Sequence, residues 1–389
     1  MKYMGHKGKM LPVLGQILLH YADNSQRIAD PFCGSAAVSW FLAENSDKEI
    51  VAGDIQSFAV ARARAVIERT TTFDPTSMIR YWFAEARRTV ASVASHFPNN
   101  LRSIEPNLTE PSKIKLVVSQ SRKFCKDVLP VVFAKIDGAW PISKAYGGYY
   151  YSPVQALVFD ALRQSLPTDS AKRKVALAAL VEALSRAAAS PGHTAQPFQP
   201  TESSAKYIIE AWARDPWKLV EDAVEEIAGR SAISIGKGVV GDFKKTISRL
   251  SEGDLVFADP PYSGVHYSRF YHALETVTRG AEFEPEGRGR YPSIEQRPSS
   301  AFSQKSNAKK AARELLMGCA LKRATLVLTF PTVGASNGLD AADFIELGNP
   351  LFSKIRVEEV QTDFSTLGGN KKHRAARQVC GESIICFVP

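Results

Sequence analysis

At 389 residues the chain is too long for one ordinary hydrophobic core, and two or three compact bodies are expected. Hydrophobic residues make up 44% and charged ones 23%, proportions that exclude a largely disordered or collagen-like chain. Lys and Arg outnumber Asp and Glu by 49 to 40, a formal charge of +9 that favours a polyanionic partner without identifying one.

The first hundred residues alternate strand-like and helical runs. Residues 26–30 end in an acidic turn, and 36–44 then read as a helix. The apolar run Ile50-Val51-Ala52-Gly53-Asp54 also ends in an acid, followed by helical spacing of Ala, Val and Arg over 57–69. Strand, turn and helix repeated in this way predict right-handed parallel β-α-β units. The pattern returns at 239–242, 255–259, 324–330 and 355–363, with 383–388 closing the sheet. Between these blocks, residues 71–235 carry helical patterns at 77–95, 171–189, 207–213 and 219–228, separated by loops rich in Pro, Gly and Tyr. Segments 99–111 and 191–201 have linker composition. This span reads as an inserted helical module, and the polar stretch 280–307 as a mobile surface loop.

Asp259-Pro260-Pro261-Tyr262 is the most informative tetrapeptide. It falls where the strand 255–258 ends, the position at which open α/β sheets bind ligands. A residue before proline is pushed toward extended backbone, so Asp259 projects rigidly from the strand end. Neither proline has an N–H, so the turn offers carbonyl acceptors and little donation. Acceptors beside the flat ring of Tyr262 complement an exocyclic amine on a planar heterocycle. Holding the amine's hydrogens draws its nitrogen toward a tetrahedral geometry and frees the lone pair for an electrophilic methyl group, a chemistry of positioning and electrostatics.

Asp30-Pro31-Phe32-Cys33-Gly34-Ser35 lies in the turn after the first strand. Its small residues let a ligand approach the backbone and the following helix. The pyrophosphate-binding G-x-G-x-x-G pattern is absent there, which suits a cofactor without a pyrophosphate. Asp54, 24 residues after Asp30, is placed to accept ribose hydroxyls. Asp242 and Phe243 supply an acceptor and a ring face for an adenine.

Together with the opening segment Lys2-Tyr3-Met4-Gly5-His6-Lys7, these pieces resemble the Dam-like N6-adenine-specific DNA methyltransferases that use S-adenosylmethionine. The opening segment departs from relatives in which a Trp or Tyr is followed by Gly-Gly-Lys or Gly-Ser-Lys. The resemblance implies a mostly parallel seven-stranded methyltransferase sheet with helices on both faces, in an α/β catalytic domain formed by 1–70 and 236–389. It further implies that 71–235 is a mainly helical target-recognition domain. By the same resemblance, Tyr3, Met4, Gly5 and Lys7 fold back over the cofactor. Asp30, Pro31, Phe32, Cys33, Gly34 and Ser35 line its methionine part, Asp54 its ribose, and Asp242 and Phe243 its adenine. Asp259, Pro260, Pro261 and Tyr262 hold a flipped-out target adenine, with Asp259 also at the cofactor.

Double-stranded DNA is the implied partner, and a companion restriction or defence protein is a further one. Candidate DNA contacts are Lys123, Lys126, Tyr146, Tyr149, Tyr150 and His193 in the insertion, with Lys371, Lys372 and Arg374 in a late basic run. Gly147-Gly148 beside the tyrosines suits entry into a groove. The charge excess is spread as +2 over 1–100, +4 over 101–240 and +3 over 241–389, so the ordered motifs and not the charge point to DNA. Two alternatives stand beside this reading: an exocyclic-amine methyltransferase acting on RNA or on cytosine N4, and a catalytically silent DNA-binding subunit of a restriction or defence assembly.

Five cysteines, Cys33, Cys125, Cys319, Cys380 and Cys386, are few, odd in number and widely spaced. No Cys-x-x-Cys or zinc spacing occurs, so no disulfide framework and no metal is expected. Cys33 has no histidine base implied beside it and reads as a packing residue. The start of the chain lacks the apolar core of a signal peptide, and no run of 18 apolar residues occurs, so a cytoplasmic protein without a membrane span is expected.

Overall fold

The structure is a computed structural model that describes residues 1, 3, 5–97, 110–362 and 380–389. Seven strands form one sheet: β1 (Arg27–Asp30), β2 (Glu49–Asp54), β3 (Lys237–Val240), β4 (Leu255–Ala258), β5 (Thr325–Pro331), β6 (Lys354–Thr362) and β7 (Cys380–Val388). Their order is β3-β2-β1-β4-β5-β7-β6. The first five neighbours pair in parallel, while β7 runs antiparallel to both β5 and β6. All seven predicted strands are present, within a few residues of the expected bounds.

Central strands covered on both faces must be apolar at every position, and β4 is buried throughout (Leu255, Val256, Phe257, Ala258). One face carries Ala29, Val256, Ala258, Leu326 and Leu328 into a core closed by Phe243, Phe302 and the helix Lys305–Leu321. The alternate residues Ile28, Phe257 and Val327 are equally buried, as the two-residue period of a strand requires.

The chain divides into two compact units. The sheet unit comprises 3–72, 230–268 and 298–389; the other comprises 1–2, 73–229 and 269–297. The second unit is helical. Its long members are Thr76–Ser95, Pro153–Gln164, Ser170–Ala187, Glu202–Trp212 and Pro216–Ala228. Side-chain caps start several of them: Ser152 and Gln155 form a capping box, and Asp169 and Asp215 accept backbone N–H groups in the first turns. Ser170–Ala187 is buried nearly all round, with Ala176, Ala178, Ala179, Ala183 and Ala187 allowing close approach of its neighbours.

The expected insertion, 71–235, differs from this unit in that 71–72 and 230–235 belong to the sheet unit and residues 269–297 pack with the helical unit. The expectation of a mobile loop at 280–307 is corrected accordingly. Glu282 accepts from the Trp140 backbone N–H at 2.7 Å, and Arg290 donates to the Ala145 carbonyl at 2.7 Å. Lys305 already begins a 17-residue helix. Among the described residues, no helix is long and apolar enough to cross a membrane.

Candidate active site

Within the sheet unit, β1 and β4 are neighbours, yet the chain leaves β1 toward β2 on one side and reaches β5 from β4 on the other. This reversal of strand order leaves a crevice beyond the carboxyl ends of β1 and β4. The crevice is lined by Tyr3, Gly5, Lys7, Asp30 through Ser35, Asp54, Asp242, Phe243 and Asp259 through Tyr262. The structure thus gathers every described cofactor and catalytic candidate into one cleft. Met4 lies outside the described residues.

The turn after β1 is held from several sides. Asp30 is buried, with Ser39 Oγ donating to it at 2.5 Å and the Phe32 N–H at 3.3 Å. Burial pushes its carboxyl up to about 7, opposed by those two hydrogen bonds. Asp54 Oδ2 accepts from the Gly34 N–H at 3.0 Å and Oδ1 from the Gln56 N–H at 2.9 Å. Cys33 is buried, and that burial, with Asp54 and Asp30 nearby, pushes its thiol well above the ordinary range. This favours the inert, packed form.

Gly34 has φ +47°, and a Cβ there would stand 2.8 Å from the Tyr3 hydroxyl. Gly34→Ala is therefore expected to destabilise the fold by about 1–2 kcal/mol through the left-handed backbone alone. It should also displace Tyr3 and weaken ligand binding in the cleft. Urea unfolding alongside ligand titration checks both, and unchanged values in each would refute the close approach.

Aromatic rings form the far wall. Phe243 follows Asp242, whose side chain caps the helix Phe243–Ile247. Phe243 stacks on Phe32 with centroids 5.7 Å apart, and Phe302 meets Phe32 edge-on at 5.4 Å.

The tetrapeptide after β4 is the most heavily fixed part. Lys7 Nζ lies 3.0 Å from Asp259 Oδ1 and also pairs with Glu382 Oε1. Thr329 Oγ1 donates to the same Asp259 oxygen at 2.9 Å. Both contacts fall on Oδ1, and among the described residues no donor reaches Oδ2. Asp259 keeps 18% of its side chain exposed, against 5% for Lys7 and 4% for Glu382, so it is the most accessible of the three.

Burial opposes the Lys7 ammonium, but attraction by Asp259 and Glu382 outweighs it and holds the group above the lysine range. For Asp259, burial pushes the carboxyl up to about 6, Lys7 pulls it down, and Glu382 raises it again. Two carboxylates facing one ammonium cannot both be fully compensated. Lys7 is the fixed charge of the three.

Asn337, buried, clamps the other side of the turn. Its Nδ2 donates to the Pro261 carbonyl at 3.0 Å and to the Phe302 carbonyl at 3.1 Å, and its N–H to the Tyr262 carbonyl at 3.3 Å. Among the described residues no donor reaches the Pro260 carbonyl. Asp259 Oδ2 and Pro260 O thus remain as acceptors in the turn that carries Tyr262. Glu382, Thr329 and Asn337 are site residues that sequence reasoning missed.

The DNA-contact candidates fare unevenly. Lys123 and Lys126 are exposed on the helical unit. Tyr146 and Tyr150 are fully buried, and their assignment to a DNA groove is corrected. The Tyr146 hydroxyl bonds to His272 Nδ1 at 2.8 Å and Thr276 Oγ1 at 3.0 Å, while the Tyr150 hydroxyl donates to the carbonyls of Thr194 and Gly289. His272 Nε2 in turn faces the Thr194 carbonyl at 2.6 Å, and burial pushes the imidazole down to about 3, so it is neutral. The pair is a core network and not a probe. Gly148 is likewise a packing residue: with φ +75°, a Cβ would meet the Arg122 backbone N at 2.8 Å. Tyr149 is half-buried, and His193 packs its ring 4.8 Å from that of Phe270. Lys371, Lys372 and Arg374 lie outside the described residues.

A seven-stranded, mostly parallel sheet with a cleft at its switch point, ending in an Asp-Pro-Pro-Tyr turn, is the architecture of an α/β methyltransferase. The chain belongs to the family of D12 class N6 adenine-specific DNA methyltransferases, whose sequence profile matches residues 3–97 and 135–325. Over 319 residues it is 23% identical to Modification methylase LlaI of Lactococcus lactis subsp. lactis, a match covering 79% of this chain and 43% of that protein. The chain therefore spans less than half the length of that relative.

Proposed function

We propose that the protein transfers a methyl group to N6 of an adenine extruded from double-stranded DNA, with S-adenosylmethionine as cofactor. The observation that carries this reading is the pair of acceptors that no donor among the described residues reaches, Asp259 Oδ2 and Pro260 O, in the cleft-lining turn that carries Tyr262. An exocyclic amine has two N–H groups, and two acceptors match them; a ring keto oxygen would meet only repulsion there.

The cleft fits the cofactor on chemical grounds. Four aspartates and one lysine line it, a balance suited to a cationic ligand. Asp54 is aimed for a ribose, and Phe32 and Phe243 offer apolar faces for an adenine, with Asp242 at its amine. When bound, S-adenosylmethionine supplies the electrophilic methyl group. The chain's own residues do the rest. Asp259 and Pro260 hold the target amine's hydrogens, exposing its lone pair. Tyr262 stacks on the base and excludes water, while Asn337 and Thr329 fix the turn so that little reorganisation is needed. The helical unit takes the duplex, with exposed Lys123 and Lys126 suited to phosphates.

The test uses purified protein, labelled S-adenosylmethionine and mixed-sequence duplex DNA, followed by digestion to nucleosides. Label in N6-methyl-2′-deoxyadenosine is expected. Label only in N4-methylcytosine, or none in any DNA, would overturn the assignment.

A further inference from the structure

We propose that Arg122, Arg269, Arg290 and Arg297 of the helical unit, held on the rings of Tyr149 and Tyr291, form a phosphate-binding surface for the backbone of double-stranded DNA. The proposal rests on the methyltransferase reading above and names the residues that would grip its substrate.

The arrangement is two guanidinium–tyrosine–guanidinium stacks. Arg122 and Arg290 lie 4.2 and 4.4 Å from the Tyr149 ring centroid, and Arg269 and Arg297 lie 5.3 and 5.4 Å from that of Tyr291. The stacks are joined through the chain, because Arg290 and Tyr291 are adjacent and Tyr150 donates to the Gly289 carbonyl at 2.9 Å. The loop is tight: Glu286 and Tyr291 exchange backbone hydrogen bonds of 2.7 and 2.9 Å, and Arg290 sits at φ +59°. Such backbone is retained only where its surroundings enforce it.

Four like charges brought together repel, and among the described residues none of the four pairs with a carboxylate. Glu282 on the same segment is already engaged by Lys144 and the Trp140 N–H, and Glu295, though attracted by the Arg297 charge, forms no ion pair with it. Burial pushes Arg122 below the ordinary arginine range, with Arg290 adding repulsion. The Arg297 Nε is buried without a hydrogen-bond partner among the described residues. Cations with so little carboxylate compensation suit an anionic ligand.

The geometry favours phosphate over a base edge. Arg122 and Arg290 spend Nε on the carbonyls of Gly148 and Ala145, at 3.1 and 2.7 Å, and Arg290 Nη2 also donates to the Lys144 carbonyl at 3.2 Å; these bonds orient each fork, and the remaining terminal N–H groups suit a tetrahedral anion. Stacking on a ring holds the fork in place before the anion arrives.

The test measures duplex DNA binding by fluorescence anisotropy across a salt series for Arg290→Gln and Arg269→Gln. Each is expected to weaken binding about tenfold at moderate salt and to lower the slope of log K against log salt by about 1. The KM for DNA should rise more than kcat falls, while calorimetric binding of S-adenosylmethionine is retained. Arg269 is exposed, so its variant keeps the core intact should Arg290→Gln misfold. Wild-type affinity and salt slope in Arg269→Gln would overturn the surface. An unmutated protein that neither binds nor methylates DNA would instead overturn the reading on which it rests.

Discussion

Lys7→Met is expected to abolish methyl transfer and to lower stability by about 3–5 kcal/mol, the usual cost of removing one partner from a buried ion pair. The reason lies in the arithmetic of the site. Among the described residues Lys7 is the single cation paired with Asp259 and Glu382, and all three are largely out of water. Without it, two carboxylates face each other in a poorly solvated place. They must take up protons or drag the strand ends apart. Either response removes the fixed acceptor at Asp259.

A second substitution separates the two losses. In Lys7→Met combined with Glu382→Gln, one of the stranded charges is gone, so much of the stability should return. Activity should not, because Thr329 alone then holds Asp259 Oδ1 and no ammonium keeps the buried carboxyl ionised. Urea unfolding and labelled-methyl transfer on the same preparations give both numbers. Normal transfer by Lys7→Met would show that Asp259 needs no cation to hold it.

Much of the catalytic frame was legible because the physics that shapes it is local. Buried strands must be apolar at every position, so β1, β2, β4 and β5 announce themselves as short hydrophobic runs. Acids at their ends mark the side on which ligands sit. What escaped reading depends on pairing between distant segments. Glu382 lies near the start of β7, which would be the wrong end of a parallel strand. Because β7 runs antiparallel, the register Pro331↔Glu382 brings this residue to the carboxyl edge of β5, and from there to Lys7. Asn337 reaches the Pro261 carbonyl from 76 residues away.

Composition misled in two places for the same reason. Tyr146 and Tyr150, surrounded in sequence by lysines and glycines, resemble a surface that probes a groove. Their hydroxyls instead satisfy His272, Thr276 and the carbonyls of Thr194 and Gly289, groups supplied by segments 44 to 139 residues distant. The polar segment after residue 280 resembles a loose loop, yet its charged groups bond to backbone near residues 140–145. A polar side chain with a distant partner cannot be told from a solvated one by its neighbours in sequence.

Single-turnover methylation is expected to fall about tenfold for each pH unit below about 6, because the adenine amine needs Asp259 as the carboxylate and burial holds that group near 6. The sign of the accompanying stability change is opposite. Asp259 and Asp30 both bind their protons more tightly in the fold than in the unfolded chain, where a carboxyl titrates near 4. Their contribution to stability is therefore fully present below about 4 and is lost as pH rises through about 6 for Asp259 and about 7 for Asp30. Between pH 7 and 5, acidification strengthens these two contributions while it removes activity. The acid limb is thus a titration of the site and not unfolding, which melting curves at the same pH values will show. Glu382→Gln supplies the discriminating comparison. Glu382 raises the Asp259 pKa by charge repulsion, so its neutralisation should move the acid limb to lower pH and leave Lys7 to serve Asp259 alone. A limb that stays in place, or moves upward, would mean that the titrating group is some residue other than Asp259.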